Sequence, residues 1–153
     1  VIVVCNSSPL IALSAIDRLD ILSNLFESVF IPEDVYRETV TTNHMLLQKS
    51  RIQIAVDQFI RPVSPKFNRT FSRRLGPGET GVLNLALEIA PDFVMLDDKK
   101  ARKEAATLNL PLLFTTDVLR WAAHRRLIDS YPHTVQQLAE HQIYLPGTAL
   151  TPT

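Results

Sequence analysis

The chain has 153 residues, 46% of them hydrophobic, which is enough for one well-buried core and too few for two comfortable domains. Its 16 basic and 16 acidic side chains cancel, so no global field holds a polyanion, and any nucleic-acid contact has to come from a local, salt-sensitive patch. One cysteine, Cys5, excludes an internal disulfide, no apolar run approaches the roughly 20 residues of a bilayer span, and no signal layout opens the chain, so a cytoplasmic protein is expected.

Residues 1–4 are β-branched throughout and read as a strand buried on both faces, central in a parallel sheet. Cys5 continues that apolar run and reads as core rather than nucleophile, since no histidine is near it. Ser8 is expected to cap the next helix, with Pro9 at its first position and Leu10, Ile11, Leu13 and Ile16 as its apolar face. Asn6 then stands at the strand's carboxyl end, where its amide oxygen can hold a cation less strongly than a carboxylate would. Residues 17–26 read as one or two helical turns and 28–31 as a strand. Pro32 closes that strand and begins a helix favoured by Glu33 and Asp34. Glu38 lies four residues beyond Asp34, which by spacing alone suits a solvated helix face.

Residues 43–59 read as one helix with a ragged boundary, and 59–63 as an edge strand, because Pro62 lacks a ladder donor. The basic stretch 64–75, with Lys66, Arg69, Arg73 and Arg74, reads as a mobile loop that could meet phosphates or simply connect. Glu79 follows a Gly-Pro-Gly turn at the head of an amphipathic helix. The apolar residues 93–96 form a strand that ends in Asp97 and Asp98. Residues 99–108 read as a helix with Ala101, Ala105 and Leu108 inward and Lys99, Lys100, Arg102, Lys103 and Glu104 outward. A short strand follows at 110–114, then a helix capped by Thr115, Thr116 or Asp117, and a last helix and a tail packed on the body.

Strands alternating with helices predict an α/β fold with a parallel sheet whose carboxyl ends share one edge, where such sheets bind ligands. Asn6, Glu38, Glu79 and the Asp97–Asp98 pair all fall near that edge. Crowded carboxylates imply a neutralising cation, and oxygen-only ligation favours Mg²⁺ or Mn²⁺. The four histidines lack zinc-ligand spacing, and no phosphate-binding glycine loop is present. A receiver-like phospho-acceptor needs an acidic pair after the first strand, which Asn6-Ser7-Ser8 does not supply.

Four ordered fragments carry a more specific likeness: Asn-Ser-Ser-Pro-Leu-Ile-Ala-Leu from Asn6, Ile-Pro-Glu-Asp-Val-Tyr-Arg-Glu from Ile31, Gly-Glu-Thr-Gly-Val-Leu-Asn-Leu-Ala from Gly78, and Leu-Asp-Asp-Lys-Lys-Ala-Arg-Lys-Glu-Ala from Leu96. Together they resemble the PIN-domain superfamily, and within it the DUF3368-like group, which is similar to the VapC toxins of prokaryotic toxin–antitoxin pairs. The resemblance spans about residues 1–128 of a single domain covering 1–153, with a C-terminal helix and tail over 129–153. It implies a three-layer α/β/α sandwich with a central, mainly parallel sheet and a metal-dependent endoribonuclease that hydrolyses RNA phosphodiester bonds. The family's acidic roles fall on Asn6, Glu38, Glu79 and Asp98, with Asp97 as neighbour or substitute of Asp98. Asn6, Glu79 and Asp98 are the expected metal ligands; Ser8, Lys99, Lys100 and Arg102 are the expected substrate contacts, with solvated helix charges as the runner-up reading of the cations. By analogy, a homodimer and a small antitoxin are the expected partners. Asn6 departs from the superfamily's usual aspartate, as the DUF3368-like group often does, and predicts weak or metal-demanding activity. A PIN-like module that binds RNA or protein without cutting is the rival reading.

Overall fold

The computed structural model describes residues 1–151. Among them, five strands form one all-parallel sheet: β1 (Ile2–Cys5), β2 (Ser28–Pro32), β3 (Ile60–Val63), β4 (Phe93–Met95) and β5 (Leu112–Leu113), in the order β3-β2-β1-β4-β5. Eight α-helices flank the sheet: α1 (Ser7–Ala15), α2 (Asp20–Leu25), α3 (Glu33–Tyr36), α4 (Leu46–Gln58), α5 (Pro77–Ile89), α6 (Lys99–Thr107), α7 (Thr115–His124) and α8 (Tyr131–Glu140). A π-helical turn over Arg37–Thr41 follows α3 directly. The α/β sandwich with a parallel sheet is therefore present as expected.

β1 is central because every residue from Val3 to Cys5 is apolar and fully buried, with β2 and β4 paired on its two sides. Burial on both faces is what an unbroken Val-Val run tolerates and an alternating strand does not. β3 lies at one edge, where Pro62 costs no interior ladder bond, and the two-residue β5 lies at the other. Side chains of α1, α2, α5, α6 and α7 close over the sheet around Leu10, Leu13, Ile21, Leu83, Leu85, Ala101 and Leu119. Trp121 of α7 meets Phe26 and Phe93 edge-on, with centroids 5.9 and 6.5 Å away, so it ties the β4 side of the sheet to the end of α2. The tail packs on the body through Ile143, Leu145 and Leu150, as its apolar content predicts; the last two residues of the expected 129–153 segment lie outside the described residues.

Three local expectations are corrected. α1 begins at Ser7 with Asn6 as its cap residue, so Ser8 is exposed in the first turn and caps nothing. The stretch 64–75 is irregular but tied down. The Lys66 amide donates to Glu88, Arg69 exchanges two hydrogen bonds with the Asn84 side chain, and Ser72 and Arg73 bind Glu104. Glu104 is buried at 3% exposure rather than outward. At the start of α4, Met45, Leu46 and Leu47 are exposed, while Ile52 and Ala55 are buried and Val56 packs against the core.

Candidate active site

All five strands run in one direction, so their carboxyl ends and the helix starts that follow them share one edge of the sheet. At its centre the Asn6 amide N–H donates to the Met95 carbonyl at 3.1 Å, so the residues that follow β1 and β4 sit side by side. Asn6 is 1% exposed, and its Oδ1 has no hydrogen-bond partner. A buried, unpartnered amide oxygen is costly, and such an atom in a native fold points to an unseen water, ion or substrate group.

The next residue builds the second part. Ser7 Oγ donates to Glu38 Oε2 at 2.8 Å, which joins the start of α1 to the π-helical turn. An extra residue squeezed into a helix re-aims the side chains around it, and such turns gather at functional positions. Here the turn carries Glu38. The Glu38 carboxylate in turn lies against the bare Cα of Gly78: a Cβ there would collide with Oε1 and sit 3.0 Å from Oε2. Gly78 is buried in the first turn of α5, and the next residue is Glu79, half-buried, whose Oε2 folds back over Gly76. Asn6, Ser7, Glu38 and the Gly78–Glu79 turn thus form a chain of neighbours.

Asp97 and Asp98 follow β4 and have different tasks. Asp97 is 8% exposed and commits both oxygens to Thr115 at the start of α7, accepting from its amide at 2.9 Å and its hydroxyl at 2.6 Å. Burial pushes its carboxyl above the ordinary range; the Thr115 hydrogen bonds and the nearby Arg102 charge oppose that, while Asp117 reinforces it. Asp98 is exposed and caps α6 by accepting from the Ala101 amide at 2.9 Å, leaving its other oxygen outward. Asp117, in the first turn of α7, accepts from the Phe114 amide, the capping role expected of it.

Of the expected substrate contacts, Lys99 and Lys100 are exposed on the first turn of α6. Arg102 is half-buried: it donates to the Leu96 carbonyl at 2.6 Å and lies 3.3 Å above the centre of the Phe114 ring. Burial lowers its basicity, against the pull of Asp97 and Asp117. Its visible work is to hold the β4 and β5 ends together. Ser8 points to solvent, and Ser7 is the serine that touches the acidic group, which sequence reasoning missed by one residue. Cys5 is fully buried, with burial and then the Asp97 charge both raising its thiol far above reactivity, in line with its reading as core.

Among the described residues, no three His, Cys, Asp or Glu side chains gather closely enough to form a metal cage as they stand. The donors that retain a free oxygen are all hard ligands: Asn6 Oδ1, Glu38, Glu79 and Asp98. That chemistry fits a Mg²⁺ or Mn²⁺ ion that keeps much of its water better than it fits zinc.

The fold is an α/β sandwich with an all-parallel sheet, and polar oxygen atoms stand at the carboxyl edge of that sheet. The sequence profile of the family described as DUF3368, PIN domain, matches residues 2–152, and the chain belongs to that family. Its fold is thus a nuclease-type fold, PIN domains being generally nucleases. Comparison with curated proteins finds no match. No helix among the described residues is long and apolar enough to cross a membrane.

Proposed function

We propose that the chain is a metal-dependent endoribonuclease of the VapC toxin type, hydrolysing RNA phosphodiester bonds at the carboxyl edge of its sheet. The observation that carries this reading is the unpartnered, buried Oδ1 of Asn6 beside the Ser7–Glu38–Gly78 contact. Asn6, Glu79 and Asp98 would hold Mg²⁺ or Mn²⁺, which when bound supplies an activated water and a stabilised leaving oxygen. Glu38, which accepts a hydrogen bond from Ser7 Oγ, would serve as a proton acceptor at this edge. Asp97 holds the site's frame through Thr115. Lys99 and Lys100 attract the RNA backbone, and Ser8 is free to donate to a phosphate.

With one amide where a carboxylate would add charge, metal affinity is expected to be modest. Calorimetric titration with Mn²⁺ tests this. Saturable binding that is lost in Asp98→Ala and tightened in Asn6→Asp is expected, together with RNA cleavage that disappears in Glu79→Ala. Unchanged affinity in both metal variants would remove Asn6 and Asp98 from the ligand set.

The amide at position 6 and the lack of a three-carboxylate cage among the described residues also favour a second reading, a weakly active or inactive PIN-like module that binds RNA or protein. Its mark is RNA affinity without cleavage at millimolar metal. A cytoplasmic location, a homodimer and neutralisation by a small antitoxin belong to the first reading, and size-exclusion chromatography with light scattering tests the dimer.

A further inference from the structure

A groove of about 590 Å³ runs between the 64–75 loop and α6, lined by Arg73, Arg74, Asp98, Lys99, Lys100 and Lys103. Three of its features bear on what it holds. Arg74, Lys99, Lys100 and Lys103 form no ion pair among the described residues, in a chain whose overall charge is zero. Four unneutralised cations facing one groove repel one another, and a multiply charged anion relieves that repulsion. Asp98 is the one acidic residue of the lining and stands at the edge of the sheet described above. The loop wall is fixed as well. Glu104, 3% exposed, accepts from the Ser72 amide at 2.7 Å, the Ser72 hydroxyl at 3.0 Å and Arg73 Nη1 at 2.5 Å. Arg74 is therefore carried on a segment whose preceding residues are held from inside the protein.

We propose that this groove binds the sugar–phosphate backbone of an RNA strand next to the cleaved bond, with Arg74 and Lys103 as phosphate contacts beside Lys99 and Lys100, and Glu104 as the residue that positions the loop wall. The link to cleavage rests on the nuclease reading; the binding itself does not. Phosphate contacts of this kind set the path of the strand and carry no base preference.

The test is fluorescence anisotropy of a labelled single-stranded RNA oligonucleotide with the full chain in EDTA, across a salt series. Arg74→Ala with Lys103→Ala changes two exposed side chains and is expected to weaken binding at least tenfold. It should also flatten the log–log salt slope by about 1.4, since each single-strand phosphate contact contributes about 0.7. Glu104→Gln separates positioning from bulk charge. Removing a negative charge beside the groove would tighten RNA binding by Coulomb's law, whereas loosening the loop wall weakens it, and a loss of at least threefold at a temperature where the variant remains folded is expected. Wild-type-like affinity and slope in the double variant would overturn the groove, as would no RNA binding by the wild type; tighter binding by Glu104→Gln would overturn the part given to Glu104. RNA bound through this groove but never cut would sink the nuclease reading alone, and cleavage with the double variant's binding unaltered would sink the groove alone.

Discussion

Asp97 and Asp98 are adjacent in sequence and opposite in circumstance. Asp97 is buried with both oxygens occupied, whereas Asp98 is exposed with one oxygen occupied. Replacing Asp97 with alanine leaves the Thr115 amide and hydroxyl buried without an acceptor, and an orphaned buried donor costs about 1–3 kcal/mol. Urea unfolding of Asp97→Ala is expected to show a loss of that size, and a loss below about 0.5 kcal/mol, the range of an ordinary surface change, would mean that water replaces the latch. Asp98→Ala removes an N-cap and is expected to cost about 1 kcal/mol. The two residues could not be told apart from Leu-Asp-Asp alone, because the difference lies in Thr115, eighteen positions downstream.

The strands and most helices were legible because each is short and strongly patterned: the Val-Val run of β1, the apolar run of β4, and the Gly-Pro-Gly head of α5 with Pro77 at its first position. The misreadings have local causes. Ser7 and Ser8 differ by one residue at a helix start, and that boundary decides which hydroxyl meets Glu38. Glu104 looked solvated amid Lys99, Lys100, Arg102 and Lys103, yet it lies three residues after Ala101 and four before Leu108, on the inward face of α6. The spacing could have found it; its partners, some thirty residues upstream in irregular chain, could not be foreseen. Gly78 shows the same dependence between α5 and the π-helical turn. A methyl group there collides with Glu38, so Gly78→Ala is expected to cost about 1–3 kcal/mol. In a Glu38→Ala background the collision is gone, and the same change should be neutral or stabilise by up to about 1 kcal/mol, as alanine does over glycine in helices. A double-mutant cycle by urea unfolding measures the coupling, and additive effects would mean that the two residues do not touch.

Across the whole molecule, the buried Glu104 pair joins the 64–75 loop to α6 and makes folding sensitive to acid. Burial acts to raise its carboxyl, but hydrogen bonds from Arg73 and Ser72 outweigh it and hold Glu104 below its ordinary value of 4.5. A depressed folded-state value means that the unfolded chain takes up the proton first. The stabilisation is therefore complete above the ordinary value and is lost as pH falls through the depressed one. Melting temperatures followed downward from neutral pH should drop less steeply for Glu104→Gln than for the wild type, from a lower start; parallel curves would show that other carboxylates set the acid limb.

The ends of the sheet also decide how the molecule meets others. Along β3, Pro62 has no N–H to offer, and β5 is two residues long, so an incoming strand finds an interrupted ladder on one side and almost none on the other. Such margins resist the edge-to-edge stacking through which sheet proteins aggregate. An associating chain is therefore expected to dock through side chains on helices and loops rather than by adding a strand, so that amino-acid substitutions there, and not changes along the sheet edges, should map its footprint.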